Sequence, residues 1–190
     1  SPMAEPPIKF IEGKKIYLRP YEPGDVDGLY PSLYQPEGRR LTGTQQIFSR
    51  AGTAAFIEKM TGDNSRLDLV ICAQETNQAV GEVVLNNIDY VNRGANIRIG
   101  IFSEKEYSRG YGTEALVLML NHAFGSLNLH RVELGVYEFN PRALHVYEKI
   151  GFKQEGTIRD QLFYDHRYHN LVIMSILEDE FRALHRTGGQ

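Results

Sequence analysis

Two periods of apolar residues alternate along this chain, and the switches between them predict its elements. Ile97, Ile99 and Ile101 share one face of a strand over Ala95 to Phe102, whereas Ala115, Leu116, Leu118, Met119, Leu120 and Ala123 recur at helical spacing over Thr113 to Leu127. Ahead of them, Lys15 to Pro20 reads as a first strand, and Gly24 to Tyr34 as a helix made short or kinked by Pro31. Gln35 to Phe48 is polar and turn-rich, which predicts a surface loop of the kind that lines a substrate entrance. Ser49 to Met60 is a second helix with a serine cap. Strands at Leu67 to Gln74, Val80 to Tyr90 and Ala95 to Phe102 are separated by short turns and predict an antiparallel meander. After the long helix come strand Arg131 to Tyr137 and helix Asn140 to Ile150, which has Pro141 at its first position and Gly151 at its end. Strands Lys153 to Tyr164 and Tyr168 to Leu177 and a helical tail, Glu178 to His185, complete the chain.

The order β-α-α-β-β-β-α-β-α-β-β predicts an α/β fold of the mixed, α+β layered kind, with a central mixed sheet of about seven strands flanked by helices. No repeat or linker divides it, so residues 14–185 are expected to form a single domain. Residues 1–13 hold three prolines and little periodicity, which predicts a mobile or peripheral arm, and Ser1-Pro2 ahead of Met3 reads as a cloning scar.

Composition narrows the picture modestly. Hydrophobic residues at 42% and charged residues at 24% are ordinary for a globular protein, and 190 residues are enough for a substantial core. A net charge of −3 argues against a general binder of nucleic acid or of an anionic membrane. The single cysteine, Cys72, allows no intrachain disulfide and falls in a strand as a small hydrophobe. No apolar run approaches the roughly 20 residues of a membrane-spanning helix and no signal peptide is visible, so a cytoplasmic protein is expected.

The chemistry concentrates at Tyr107-Ser108-Arg109-Gly110-Tyr111-Gly112-Thr113-Glu114, between the last meander strand and the long helix. A two-glycine turn at a helix start leaves backbone N–H groups without partners, glycine permits close approach of a phosphate, and Arg109 adds charge. An ordinary strand-to-helix loop is the plain alternative. A P-loop is excluded, since Gly-Lys followed by Ser or Thr does not occur in the chain. Gly110, Gly112 and Ala115 also spell a dinucleotide fingerprint, but Ser103 to Arg109 separate the glycines from the strand, and Glu133 lies inside a strand rather than at its end.

The run Ile99-Gly100-Ile101, a seven-residue spacer, then Arg109-Gly110-Tyr111-Gly112-Thr113-Glu114-Ala115-Leu116 resembles the acetyl-CoA-binding motif of the GNAT superfamily of N-acetyltransferases. The resemblance continues through Asn140-Pro141-Arg142-Ala143, Tyr147 to Phe152, Glu155-Gly156, Tyr168 and Met174, and is similar to the branch holding ribosomal-protein and spermidine acetyltransferases. One departure is Tyr107, where the family motif usually opens with Gln or Arg. The resemblance implies transfer of an acetyl group from acetyl-CoA to a primary amine: a protein N-terminus, a polyamine or another small amine. It implies a pyrophosphate site at Tyr107, Ser108, Arg109, Gly110, Tyr111, Gly112 and Thr113. Ile101 and Phe102 would pair with the pantetheine like an added strand, in a split between the strands ending near Phe102 and Tyr137. A protein that binds acetyl-CoA without turnover, as a sensor or partner-binding module, is the alternative.

Direct transfer needs an unprotonated amine, a polarised carbonyl and a proton for the thiolate, and no covalent intermediate. Asn140 and Tyr147 are seven apart on one helix and so face the same side. In the resembling family that helix brings an Asn to the cofactor arm and a Tyr hydroxyl to the thioester sulfur. Tyr147 is also placed to pack in the core, and Asn140 to cap the helix. Glu82 is the candidate general base through ordered water, or else a solvent-facing strand carboxylate; a bulge near Ile99 to Ile101 would offer a carbonyl to the amine. His166 and His169 suit a hairpin better than a metal, and no metal is expected. Phe163, Tyr164 and Tyr168 either line an acceptor pocket or pack the last hairpin. A homo-oligomer stays open.

Overall fold

The computed structural model describes residues 5–186, so the Ser1-Pro2 scar lies outside the described residues. One sheet of eight strands runs through the molecule: β1 (Ile11–Glu12), β2 (Ile16–Pro20), β3 (Leu67–Ala73), β4 (Ala79–Asp89), β5 (Gly94–Ile101), β6 (Arg131–Tyr137), β7 (Lys153–Tyr164) and β8 (Arg167–Leu177). Their spatial order is β1-β2-β3-β4-β5-β6-β8-β7. The pair β5–β6 is parallel and every other pair is antiparallel. The eighth strand is the two-residue β1, which pairs Ile11 with Leu18 inside the segment expected to be an arm.

Helices cover both faces, and the strands show it in their sequence. In β2 three consecutive residues are fully buried: Ile16 and Leu18 join the larger core, Tyr17 the smaller one on the opposite face. The larger core packs against α4 (Tyr111–Gly125) through Ala115, Leu116, Met119, Leu120 and Ala123, with Ile150 of α5 (Pro141–Ile150) and Phe181 of α6 (Glu178–His185). Removing one of these large side chains costs roughly 2–5 kcal/mol, so α4 is held firmly in place. On the other face Tyr17, Tyr21, Val70 and Cys72 meet Leu29 of α1 (Val26–Ser32) and Ile57 and Met60 of α3 (Arg50–Met60).

The parallel pair positions everything that follows. β5 and β6 are paired only over Gly94↔Arg131, Ala95↔Val132 and Asn96↔Glu133. The paired end is pinned, because the N–H groups of His130 and Arg131 donate to the Arg93 carbonyl at 2.7 and 3.1 Å. Glu178 accepts from Arg93 at 2.9 Å and Arg182 at 2.6 Å, and lies 2.8 Å from His130 Nδ1. Each strand keeps its full ladder on its outer side, β5 with β4 and β6 with β8. The two therefore part over Ile97–Ile101 and Leu134–Tyr137.

Three sequence expectations are corrected. Gln35 to Phe48 is not all loop: Pro36–Thr42 form a helix, α2, started by Pro36, supported by the Arg40–Glu37 pair at 2.7 Å and ended by Gly43 at φ 64. Its apolar face is too thin to give a period, since none of its residues is buried. The bulge near Ile99 to Ile101 is absent, the register running unbroken from Gly81↔Ile101 to Asn86↔Asn96. An irregularity sits instead between Ile71 and Cys72, on the β3–β4 side. Helix α4 starts at Tyr111, two residues before Thr113, so Gly112 lies inside its first turn.

Candidate active site

The open edge of β5 belongs to alternate residues. Phe102 donates its N–H to the Val80 carbonyl at 2.9 Å, so the even-numbered residues bond toward β4 and the main chain of Ile99 and Ile101 faces the split. Ile101 thus has the edge an added strand needs. Phe102 does not: its amide is committed to Val80, and its ring lies beside Gly28 of α1.

The turn beyond β5 closes one end of this edge. Ser108 and Gly110 both take left-handed backbone, at φ 64 and φ 81. Gly110 caps α4 and no side chain caps the helix start, so the first N–H groups of α4 remain available. A Cβ on Gly112 would meet Ile99 Cγ1 at 3.6 Å, which places this helix turn directly against the open strand. Thr113 is exposed, and Tyr111 is partly buried against the larger core. Arg109 is exposed and turned back, 3.3 Å from Glu106. Tyr107 is half-buried away from the turn, with its hydroxyl 4.0 Å from where a Cβ on Gly38 of α2 would lie. Burial, then Glu104 and Glu37, push its phenol above the usual range.

Helix α5 flanks the same place. Arg142 donates from Nη2 to the Ser108 hydroxyl, joining the first turn of α5 to the turn before α4. Asn140 caps α5, its Oδ1 accepting from the Ala143 N–H at 3.2 Å, and this leaves the Nδ2 donors unused by the cap. Two turns on, the Tyr147 ring meets Phe152 edge-on at 6.0 Å and packs against the larger core. Burial raises its pKa, so the phenol stays protonated at neutral pH. Among the described residues its hydroxyl has no hydrogen-bond partner.

Glu82 lies on the other face of the sheet, beside Gly100 of β5. It is 7% exposed, which overturns the solvent-facing alternative. Its Oε1 accepts from the Tyr21 hydroxyl at 2.6 Å and its Oε2 from Arg98 Nη1 at 2.6 Å. Gly100 leaves room here: a Cβ on it would sit 4.0 Å from Oε2. Burial and then Glu82 push the Tyr21 phenol far up. For Arg98, burial opposes the charge, yet the Glu82 carboxylate outweighs it and raises the guanidinium pKa.

Sequence reasoning missed Tyr21, Arg98 and Arg142 as partners of the site, as well as Lys15 and Glu114. Glu114 Oε1 accepts from the N–H groups of Lys15 and Ile16, both at 2.9 Å, and Lys15 Nζ reaches the Arg109 carbonyl at 3.3 Å. A separation of 94 residues leaves no periodic signal for such a contact. In the last hairpin Phe163 and Tyr168 form an exposed pair 5.1 Å apart, and His169 Nε2 lies 2.9 Å from the Tyr164 carbonyl. Among the described residues no group of three or more His, Cys, Asp or Glu could hold a metal ion, and no helix is long and apolar enough to cross a membrane.

Comparison with known proteins agrees with this geometry. A family model described as an acetyltransferase (GNAT) domain matches residues 15–153. Spermidine N(1)-acetyltransferase of Escherichia coli K12 is 34% identical over 113 residues, covering 60% of each chain. A putative ribosomal N-acetyltransferase, YdaF of Bacillus subtilis, is 38% identical over 103 residues, covering 54% of this chain and 56% of its own. In these matches the chain therefore spans less than two thirds of either relative. The crystal structure of Vibrio cholerae spermidine N-acetyltransferase in complex with CoA and spermine superposes with a TM-score of 0.83 at 26% identity, covering 88% of this chain and 98% of that one. With a family match across most of its length and the split sheet, glycine turn and flanking helix in place, the chain belongs to the GNAT family of acetyltransferases.

Proposed function

We propose that this chain transfers an acetyl group from acetyl-CoA to a primary amine by direct attack. The observation that carries the reading is the split: β5 loses its partner after Asn96, and the edge left open at Ile99 and Ile101 runs toward the glycine turn at 108–112. Acetyl-CoA supplies the acyl group and a thiolate leaving group. The main chain of Ile99 and Ile101 orients the acyl arm, the free amides at the start of α4 take the pyrophosphate, and Asn140 donates to the arm through Nδ2. Tyr107 contributes its main chain, not its side chain, to the phosphate loop, its ring being packed against α2.

Glu82 accepts the proton that the acceptor ammonium must lose before its nitrogen can attack. Tyr21 and Arg98 fix the orientation of that carboxylate and leave each oxygen a second lone pair. As the carbon–nitrogen bond forms and the carbon–sulfur bond breaks, Tyr147 gives its hydroxyl proton to the departing thiolate; the acylated nitrogen loses its second proton to water, Tyr147 regains a proton from water, and the products are the N-acetylated amine and CoA.

The acceptor is a small amine, a polyamine or a protein N-terminal amine. The paired charges of α2 leave it no free carboxylate and so favour acceptors of lower positive charge: Glu37 is tied to Arg40, and Arg39 stacks over Tyr34 with its carbon 5.5 Å from the ring centre. Residues 14–185 serve as one catalytic domain, in the cytoplasm. The long, exposed edge strand β7 supports a homo-oligomer. Incubation with acetyl-CoA and a panel of polyamines, amino acids, aminoglycosides and N-terminal peptides, read by CoA release and product mass, tests the activity. No acetylated product from any of them, with acetyl-CoA bound, would refute transfer and leave a binding module.

A further inference from the structure

Past Asn96, where β5 parts from β6, the next two residues on the face that bears Glu82 are Arg98 and Gly100. The Arg98 side chain runs along this stretch to reach Glu82, which lies opposite Gly100 in the neighbouring strand. The ion pair is lopsided: the Arg98 side chain is 44% exposed and that of Glu82 9%, so the cation is the member that meets solvent. Above Gly100 the space is open, since a Cβ there would have only Glu82 atoms within 4 Å. Glu82 engages Nη1 of Arg98, and among the described residues the Nε–Nη2 edge of the guanidinium has no partner. That edge is the one by which Arg40 and Arg66 grip Glu37 and Asp68, with Nε at 3.1 and 2.7 Å and Nη2 at 2.7 and 2.8 Å. Neighbouring polar groups are already engaged: Asp68 by Arg66 at 2.7 Å, Glu133 by Arg131 at 2.6 Å, and Asn96 by Asn86 at 2.9 Å.

We propose that the open edge of Arg98 holds a carboxylate of the acceptor, and that the acceptor is an α-amino acid whose amine is thereby set against Glu82. The inference rests on the acetyl-transfer reading above and narrows its acceptor. Two parallel N–H groups match the two oxygens of a carboxylate, whereas an ammonium meets only like charge there. Glu82 and Arg98 touch at 2.6 Å, so they present opposite charges side by side, the complement of an amine and a carboxylate borne on one carbon. A polyamine would bring a further cation to the exposed guanidinium, and like charges brought together at a binding site are costly. A peptide N-terminus offers one neutral carbonyl oxygen in place of the carboxylate and fills half of the fork.

Steady-state acetylation of matched sets tests this, each set an α-amino acid, its amide and its decarboxylated amine, built on small, branched and aromatic side chains, with spermidine alongside. In the best set the wild-type chain should favour the acid over the decarboxylated amine by roughly tenfold or more in kcat/KM, mostly through KM. In Arg98→Gln that ratio should fall to within about twofold; the comparison is internal to each enzyme, so any change in Glu82 cancels. If Arg98→Gln does not fold, Arg98→Lys serves, because it keeps a cation beside Glu82 without the fork, and the ratio should fall there as well. An amide used as well as the acid, a wild-type preference for the decarboxylated amine or spermidine, or an undiminished ratio in a folded variant would overturn the carboxylate site while leaving acetyl transfer standing. No product from any acceptor would overturn the transfer reading and this site together.

Discussion

One carboxylate oxygen of Glu114 accepts the backbone N–H of Lys15 at 2.9 Å, and thereby ties the start of β2 to the first turn of the helix that follows the glycine turn. The same oxygen accepts from Ile16 at 2.9 Å, so two strand amides depend on a single side chain. Glu114→Ala should cost about 1–3 kcal/mol in chemical denaturation, the penalty for orphaning such donors. Glu114→Gln, which keeps an acceptor oxygen, should recover most of it. Equal losses in the two variants would show that the charge, rather than the acceptor, matters.

Glu82 is predicted to be the base, held by Tyr21 and Arg98. Glu82→Gln should lower kcat by about 10²–10⁴-fold, the range for lost general base catalysis. Tyr21→Phe should destabilise the fold by roughly 1–3 kcal/mol, because it removes a buried donor from a carboxylate. Steady-state kinetics and urea melts separate the two effects. A Glu82→Gln enzyme within about threefold of wild type would transfer the role of base to water.

Acid should loosen the closed end of the split. Arg182 first, then His130, hold the Glu178 carboxyl down to about 2, below its ordinary value of 4.5. A depressed folded-state pKa means that the stabilisation is present above about pH 4.5 and is lost as pH falls toward 2. The gap in melting temperature between the wild type and Glu178→Gln should therefore be widest near pH 6 and shrink below pH 4.5. A gap independent of pH would contradict the assignment.

Tyr147→Phe keeps the ring against Phe152 and removes only the hydroxyl. If Tyr147 protonates the leaving thiolate, kcat should fall by about 10²–10⁴-fold while acetyl-CoA affinity and melting temperature hold. If the ring serves only to pack, Phe should be nearly silent and Tyr147→Ala should cost roughly 3–5 kcal/mol. Both patterns are read from kcat, acetyl-CoA affinity and melting temperature of the two variants.

Much of this architecture was legible in the chain because its elements are long and strongly periodic. Ile97, Ile99 and Ile101 announce β5, and the apolar stripe from Ala115 to Ala123 announces α4, because each buries one face against a common core. Helix α2 was not legible, since a surface helix with no buried residue leaves no stripe. Nor was the commitment of the Phe102 amide, which depends on which side of β5 bonds to β4, a matter of register that side-chain patterning does not encode. Tyr21, just past the end of β2, and Arg98, on the neighbouring strand β5, meet Glu82 at separations of 61 and 16 residues, and only the folded sheet brings them together. Asn140 was legible both as a cap and as a candidate ligand because its two amide atoms can serve the two roles at once.

The most direct measurement is calorimetric titration of the wild-type chain and Gly112→Val with acetyl-CoA. A Cβ at position 112 has ordinary contact with Ile99 at 3.6 Å and needs no left-handed backbone, so the variant should remain folded while its branched side chain intrudes between the open strand and the helix amides. The wild type should bind saturably, and the variant should lose at least tenfold in affinity, about 1.4 kcal/mol. No binding by the wild type at millimolar acetyl-CoA, or unchanged affinity in a folded Gly112→Val chain, would contradict it.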